Sequence, residues 1–210
     1  MAPVQKSDNL FEAGTPHRDG YPRFGKTTRQ KLTDEETSQL LSLTALSLSA
    51  FNVNNCRFVV VRDQDLRKQI NKFSSNQAPI PQPSSLIILC ADLAHSEKKS
   101  AGNGGNGSEG LTEAAATRKK AILWESDHLQ RDEAMCSCGI AAQTLMLTAK
   151  AMSYDTWRLE GFDTEGVAKL INLPPDHVVA MLVVVGKNMK HAWPHVGQVN
   201  FHEVVILDQF

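Results

Sequence analysis

The sequence predicts a mixed fold of interleaved helices and strands in one domain covering residues 1–210, and three observations carry that prediction. Continuous apolar runs rich in β-branched residues recur at 58–61, 86–90 and 178–186, with the length and composition of buried strands. Between them lie stretches with apolar residues three and four apart, the helical period. The chain has 210 residues, 41% of them hydrophobic, enough for one sizeable core.

In chain order, the first 30 residues mix charges with turn formers, and Gly14, Pro16, Gly20 and Pro22 end any helix begun at 8–13. Thr33, with Glu36 three residues on, reads as a capping box. Leu40, Leu41, Leu43, Leu46 and Leu48 then continue a buried helix into the loop SAFNVNN. The strand RFVVVRD follows, then a short charged helix over 64–73. In NQAPIPQPSS three prolines forbid regular structure, and LIILC next to it reads as a central strand. From 95 to 110 the chain is polar and low in complexity, too poor in apolar groups to repay its ordering, so a flexible excursion at about 95–130 is expected. A helix over 132–151 carries Ile140, Leu145 and Leu147 among many small residues, which let it pack closely as a central element. WRLEGFD reads as a connection, 164–171 as a helix, LPPD as a turn and 178–186 as a strand. The tail ends in FHEVVIL, a weakly alternating strand with no partner in reach, which a second subunit would have to cover.

With 22 basic and 23 acidic residues and no dense basic stripe, the chain lacks the electrostatic footprint of a nucleic-acid binder. No apolar run approaches the ~20 residues that span a bilayer, and the start MAPVQKSDNL does not read as a secretion signal. A soluble, cytoplasmic protein is expected. Cys56, Cys90, Cys136 and Cys138 show no CxxC spacing, so reduced thiols are expected and no metal site. Cys136 and Cys138, two apart on a helix, point about 200° apart and share a ligand poorly.

Asn52, Asn54 and Asn55 stand directly before the strand at 58–61. Two readings are open. Asparagine tolerates left-handed backbone and closes local hydrogen bonds, which makes a turn. Three short amides at the mouth of a sheet also suit a polar ligand. No GxGxxG follows a strand and no GxxxxGK[ST] occurs, so a Rossmann domain or P-loop enzyme is not expected.

The ordered set SAFNVNN, RFVVVRD, NQ with SSLIILCAD, AAQTLMLTAKAMSYDT, LEGFDTEGVAKLINLPPD, VVAMLVVVGK and FHEVV resembles the nitroreductase family of flavin enzymes from Leu32 to Phe210. The resemblance implies an α+β fold, a mostly antiparallel sheet surrounded by helices. It also implies an intertwined homodimer with FMN in each interface and a swapped C-terminal strand, which would cover FHEVVIL. By the same resemblance the loop with Ser49, Phe51, Asn52 and Asn54 lies against the flavin held mainly by the other subunit. Asn76 reaches the pyrimidine side of the ring, and the backbone of Glu160 and Gly161 approaches N5 and O4. Such groups suit a flavin, whose pyrimidine edge offers donors and acceptors that amides match and whose N5 needs an open face.

Arg18, Asp19 and Gly20, in RDGYPRF, fall where the family has the arginine-rich grip on the FMN phosphate; a rival alignment uses Lys26, Thr28 and Arg29. Here the chain departs from the pattern: Gly20 replaces a serine, Pro22 a basic residue, Pro79 a lysine near N1, and Gly197 and Gln198 a basic pair. Each lost charged hydrogen bond would weaken phosphate binding by about 1.5–3 kcal/mol. The function implied is ping-pong electron transfer from NADH or NADPH through FMN to a nitroaromatic, quinone or similar small-molecule acceptor, with no catalytic acid or base of the protein's own. The alternative is a flavin-binding or regulatory protein on the same scaffold without efficient turnover.

Overall fold

The computed structural model describes residues 32–74, 85–94, 126–159, 161–187 and 199–210. The segment with Arg18, Asp19 and Gly20, the glycine-rich stretch at 95–125, Asn76, Pro79, Glu160, Gly197 and Gln198 all lie outside the described residues.

Helix α1, Asp34–Thr44, starts where the capping box predicts. Glu36 N donates to Thr33 Oγ1 at 3.1 Å, and Thr33 N donates back to Glu36 Oε2 at 2.8 Å, so two orphan amides of the first turn are satisfied. That backbone hydrogen bond holds the Glu36 carboxyl below its ordinary range. The helix stops four residues short of Leu48, and Leu43, Leu46 and Leu48 are exposed rather than buried. The reason is local: Leu46 N and Ser47 N turn back to Leu43 O and Thr44 O, tightening the chain out of the α-helix.

Strand β1, Cys56–Val61, is followed by helix α2, Gln64–Phe73, capped by Asp63, whose Oδ1 accepts from Leu66 N at 2.6 Å. Strand β2 runs Ser85–Asp92, helix α3 Asp127–Ala151, strand β3 Asp155–Leu159, helix α4 Thr164–Leu170 and strand β4 His177–Gly186. The four strands form one antiparallel sheet in the order β1-β2-β4-β3. β2 is central, as its apolar run predicts. β1 is an edge among the described residues, and Phe58 to Val60 are half-buried where their apolar run predicts full burial.

Alternation along β2 and β4 sorts the core into two layers. Ile87, Leu89, Val183 and Val185 face α1 and α3, meeting Leu40, Ala141 and Leu145. Leu86, Ile88, Leu182 and Val184 face α2 and α4, meeting Ile70 and Val167. Covered on both faces, these strands need apolar residues at every position, which is why they read as unbroken runs. The register of β2 on β4 shifts between Leu89 and Cys90, a bulge beyond which pairing resumes and runs to Asp92 opposite His177.

Two expectations are overturned here. WRLEGFD is not all connection: Asp155–Leu159 is the strand β3, with Trp157 opposite Val184. Its single exposed arginine, Arg158, and its length of five residues hide it from pattern reading. The tail is not a strand either, since Phe201–Val204 form one helical turn, α5, followed by exposed chain to Phe210. With no strand beside it among the described residues, local bonds win: Glu203 N donates to Asn200 O at 2.9 Å and Asn200 Nδ2 to Glu203 Oε1 at 2.8 Å. Helix α3 also begins five residues earlier than the expected 132, and Ile140 and Leu147 lie on its exposed side while Leu145 and four alanines are buried. Among the described residues no helix is long and apolar enough to cross a membrane.

Helix α3 ends in a Schellman motif: Tyr154 N donates to Ala149 O at 2.8 Å and Ser153 N to Lys150 O at 2.9 Å. Ser153 carries the motif's left-handed backbone, φ 63°, which costs a non-glycine residue about 1–2 kcal/mol. After allowance for glycine's greater freedom when unfolded, Ser153→Gly is expected to stabilise the fold by about 0.5–1 kcal/mol, read as a higher urea midpoint with unchanged slope.

Candidate functional site

The loop between α1 and β1 is built almost wholly from its own polar groups. A single 3₁₀ turn, Ala50–Asn52, is closed by Asn52 N donating to Ser49 O at 3.0 Å and Val53 N to Ala50 O at 3.1 Å. Asn52 and Asn54 both have φ 53°, the left-handed region that asparagine enters more readily than most residues. The turn reading of these asparagines therefore holds.

The loop also fixes which end of each amide faces out. Asn54 Nδ2 lies 3.1 Å from the backbone oxygen of Asn52 and 3.1 Å from Asn52 Oδ1. A carbonyl can only accept, so the Asn54 atom beside it must be the nitrogen; the nitrogen in turn needs an acceptor from Asn52. Asn52 is exposed and so presents its NH₂, a donor. Asn54 N donates to Ser49 Oγ at 2.9 Å, which leaves the Ser49 hydroxyl proton to point elsewhere.

Asn55 differs from its neighbours. It is 4% exposed, and its Nδ2 donates to Glu133 Oε2 at 2.7 Å. Beside the loop opens a cavity of about 420 Å³ whose lining includes Ser49, Asn54, Asn55, Cys56, Arg57 and Ser137, a size within the range of small-molecule sites.

Arg57 braces the loop from the strand side. Its Nη1 donates to Asn54 O at 2.7 Å and its Nη2 to Asp92 Oδ2 at 2.7 Å. Asp92 Oδ2 lies 3.5 Å from His177 Nε2, and His177 Nδ1 is 2.8 Å from Asp176 Oδ1. Asp92, Asp176 and His177 bring potential ligand atoms within 4.8 Å of one another. The oxygen nearest the histidine already accepts from a guanidinium, so the arrangement works as a tie across the ends of β1, β2 and β4.

Of the residues singled out in the sequence, the structure brings Ser49, Asn52 and Asn54 together in one loop. Gly161, just beyond β3, has φ 64°, a conformation glycine adopts without strain, and it has no side chain of its own to hinder approach to its amide. Arg18, Asp19, Gly20, Asn76, Glu160 and the side chain of Phe51 lie outside the described residues. Trp157 packs in the core. Glu133 and Arg57 escape sequence reading: the first meets partners 78 and 83 residues away, and no local pattern announces such a contact.

The family model for the Nitroreductase family matches residues 27–187. The chain belongs to the nitroreductase family. Protein DrgA of Synechocystis sp. is 35% identical over 162 residues, covering 77% of each chain. Among solved structures, a protein from Exiguobacterium sibiricum determined in complex with FMN matches with a TM-score of 0.81 at 19% identity, over 94% of this chain and 96% of that one. The NADPH:FMN oxidoreductase of Vibrio harveyi, complexed with NAD⁺, matches with a TM-score of 0.71 at 19% identity, over 95% of this chain and 77% of that one. The resemblance read from the ordered segments is thus confirmed, and the antiparallel sheet with its helices is the nitroreductase fold.

This nitroreductase-family chain keeps three of its four thiols packed together beside the loop. Cys56 and Cys138 adjoin in one apolar cluster, and Cys90 lies buried close by on β2. A hydrogen bond with Cys138, and then burial, push the Cys56 thiol well above its ordinary value; burial pushes Cys90 up to about 12. Cys136 is exposed while Cys138 is buried, the opposite facing expected of residues two apart. Protonated thiols are poor nucleophiles and Cys138 is shielded by burial, so Cys56, Cys90 and Cys138 are expected to react with Ellman's reagent at mildly alkaline pH only after the protein is unfolded.

Proposed function

We propose that the chain is an FMN-dependent NAD(P)H oxidoreductase acting as a cytoplasmic homodimer of single 1–210 domains. The observation that carries this is the asparagine loop: Ser49, Asn54 and Asn55 line the cavity, and in the same loop Asn52 presents an oriented amide donor. Membership of the nitroreductase family, with relatives named for FMN and NADPH, supports the same reading.

The donor set fits a flavin. Asn52 offers N–H groups and Ser49 a hydroxyl, which suit the carbonyl and ring-nitrogen acceptors of an isoalloxazine edge. Phe51 would supply apolar surface to the ring or to the substrate face. Across the dimer, Asn76, Glu160 and Gly161 would meet the ring bound mainly by their own subunit, and Arg18, Asp19 and Gly20 the phosphate. When bound, FMN supplies hydride and electron transfer, from NADH or NADPH to a nitroaromatic, quinone or similar acceptor, in ping-pong order. The protein's part is to orient the two substrates in turn over one face and to exclude water, and no side chain needs to act as acid or base.

Purified protein incubated with FMN and desalted is expected to keep a yellow flavin band that NAD(P)H bleaches, with turnover of a quinone well above that of free FMN. Asn52→Leu, which removes one neutral hydrogen bond worth about 0.5–1.5 kcal/mol, should raise the FMN dissociation constant about three- to tenfold. Asn52→Asp, which sets a charged acceptor where the donor stood, should raise it further. A retained flavin that turns over no faster than free FMN would favour a flavin-holding protein instead, and a colourless protein would overturn both readings.

The exposed apolar tail supports the dimer, since Phe201, Val204, Leu207 and Phe210 have no cover within the described chain. Removing residues 201–210 should convert a dimer to monomer or aggregate by light scattering. An intact dimer would remove the tail from the interface.

A further inference from the structure

Helix α3 reaches the asparagine loop through one side chain. Glu133 Oε1 accepts from Ala50 N at 3.1 Å and from Ser137 Oγ at 2.6 Å, and its Oε2 accepts from Asn55 Nδ2 at 2.7 Å. Ser137 lies one turn along the same helix, so its hydroxyl fixes the carboxylate's orientation before the loop is considered. The two remaining donors come from the two sides of the turn: Ala50 opens the 3₁₀ turn that contains Asn52, and Asn55 follows the left-handed Asn54. From the opposite side Arg57 holds Asn54 O.

We infer that Glu133 is the positioning residue of this site: its carboxylate clamps both ends of the loop and so sets where Asn52 presents its amide. Three features carry the assignment. The carboxylate accepts three hydrogen bonds, and those to an ionised acceptor are the strong ones. The loop contains two asparagines at positive φ, each sparsely populated in a free chain, so an external tie is needed to keep both there at once. Asn55 is almost wholly buried, so an amide left without its acceptor cannot turn to water.

The clamp has a polarity that can be reversed. Glu133→Gln keeps the shape but loses the charge and offers one oxygen and one NH₂: Ala50 N–H and the Asn55 amide can both be met only if Asn55 turns its Oδ1 towards that NH₂, which leaves its Nδ2 buried without an acceptor. Asn55→Asp alone sets two carboxylates against each other. The double variant Glu133→Gln with Asn55→Asp restores the pair with donor and acceptor exchanged and the net charge unchanged. The amide introduced on α3 then accepts from Ala50 through its oxygen and donates through its nitrogen to the carboxylate introduced in the loop.

Two readouts on the full-length protein test the assignment. In flavin-free protein, hydrogen exchange of the peptide 49–55 is expected to quicken about ten- to a hundredfold in Glu133→Gln, the loss of one charged hydrogen bond, and to return towards the wild-type rate in the double variant. This readout does not depend on the proposed function. The second rests on it: the FMN dissociation constant, from quenching of flavin fluorescence, should rise about tenfold or more in Glu133→Gln and recover in the double variant. Unchanged exchange in Glu133→Gln, or a double variant no better than the single one in exchange, would overturn the clamp. A wild-type protein that holds no FMN, with exchange behaving as expected, would overturn the flavin reading and leave the clamp standing. Altered exchange with unaltered FMN affinity would show that the loop is clamped but is not the flavin contact, and would overturn Glu133 as a residue of that site.

Discussion

Everything else in the molecule hangs on the pairing of β2 with β4. These two strands lie side by side in the middle of the sheet, buried on both faces, with Leu86 opposite Val184 and Ile88 opposite Leu182. Each contributes one layer of side chains to the α1 and α3 side and one to the α2 and α4 side. A polar group at any of these positions would have to be desolvated without a partner, which costs far more than one hydrogen bond returns. The strand pair thus fixes where α3 lies, and α3 fixes the loop.

That order of dependence explains why a polar loop can be so well defined. Its own bonds close a turn, but turns of this kind have alternatives close in energy. Two ties from rigid elements, Glu133 on α3 and Arg57 on β1, remove them. The site is therefore a property of the packed layers, expressed through a few hydrogen bonds at their margin.

Much of this is legible in the sequence, and what is not has identifiable reasons. The capping box at Thr33 and Glu36, helix 64–73 and the runs that form β2 and β4 follow from local chemistry, and local chemistry decides them. β3 is hidden because a strand of five residues with one exposed arginine looks like a connection. The end of α1 is misplaced by the pattern because leucines at helical spacing continue past the point where the core has room for them. The tail reads as a strand on the strength of its β-branched residues, a preference that counts only when a neighbouring strand is present. At the site, asparagine's local behaviour marks Asn52 and Asn54 and the family resemblance alone marks Ser49, whereas Glu133 cannot be named, its partners being remote in sequence.

The distance along the chain between Glu133 and Asn55, 78 residues, has a consequence for the order of assembly. Loop closure over that span is entropically opposed until the intervening strands have paired. The asparagine turn can therefore flicker into shape early but cannot be locked until α3 has been synthesised and has docked. A nascent chain that ends before α3 would carry the loop's sequence without its geometry, so ligand competence arrives last, as a report that the rest of the domain has folded.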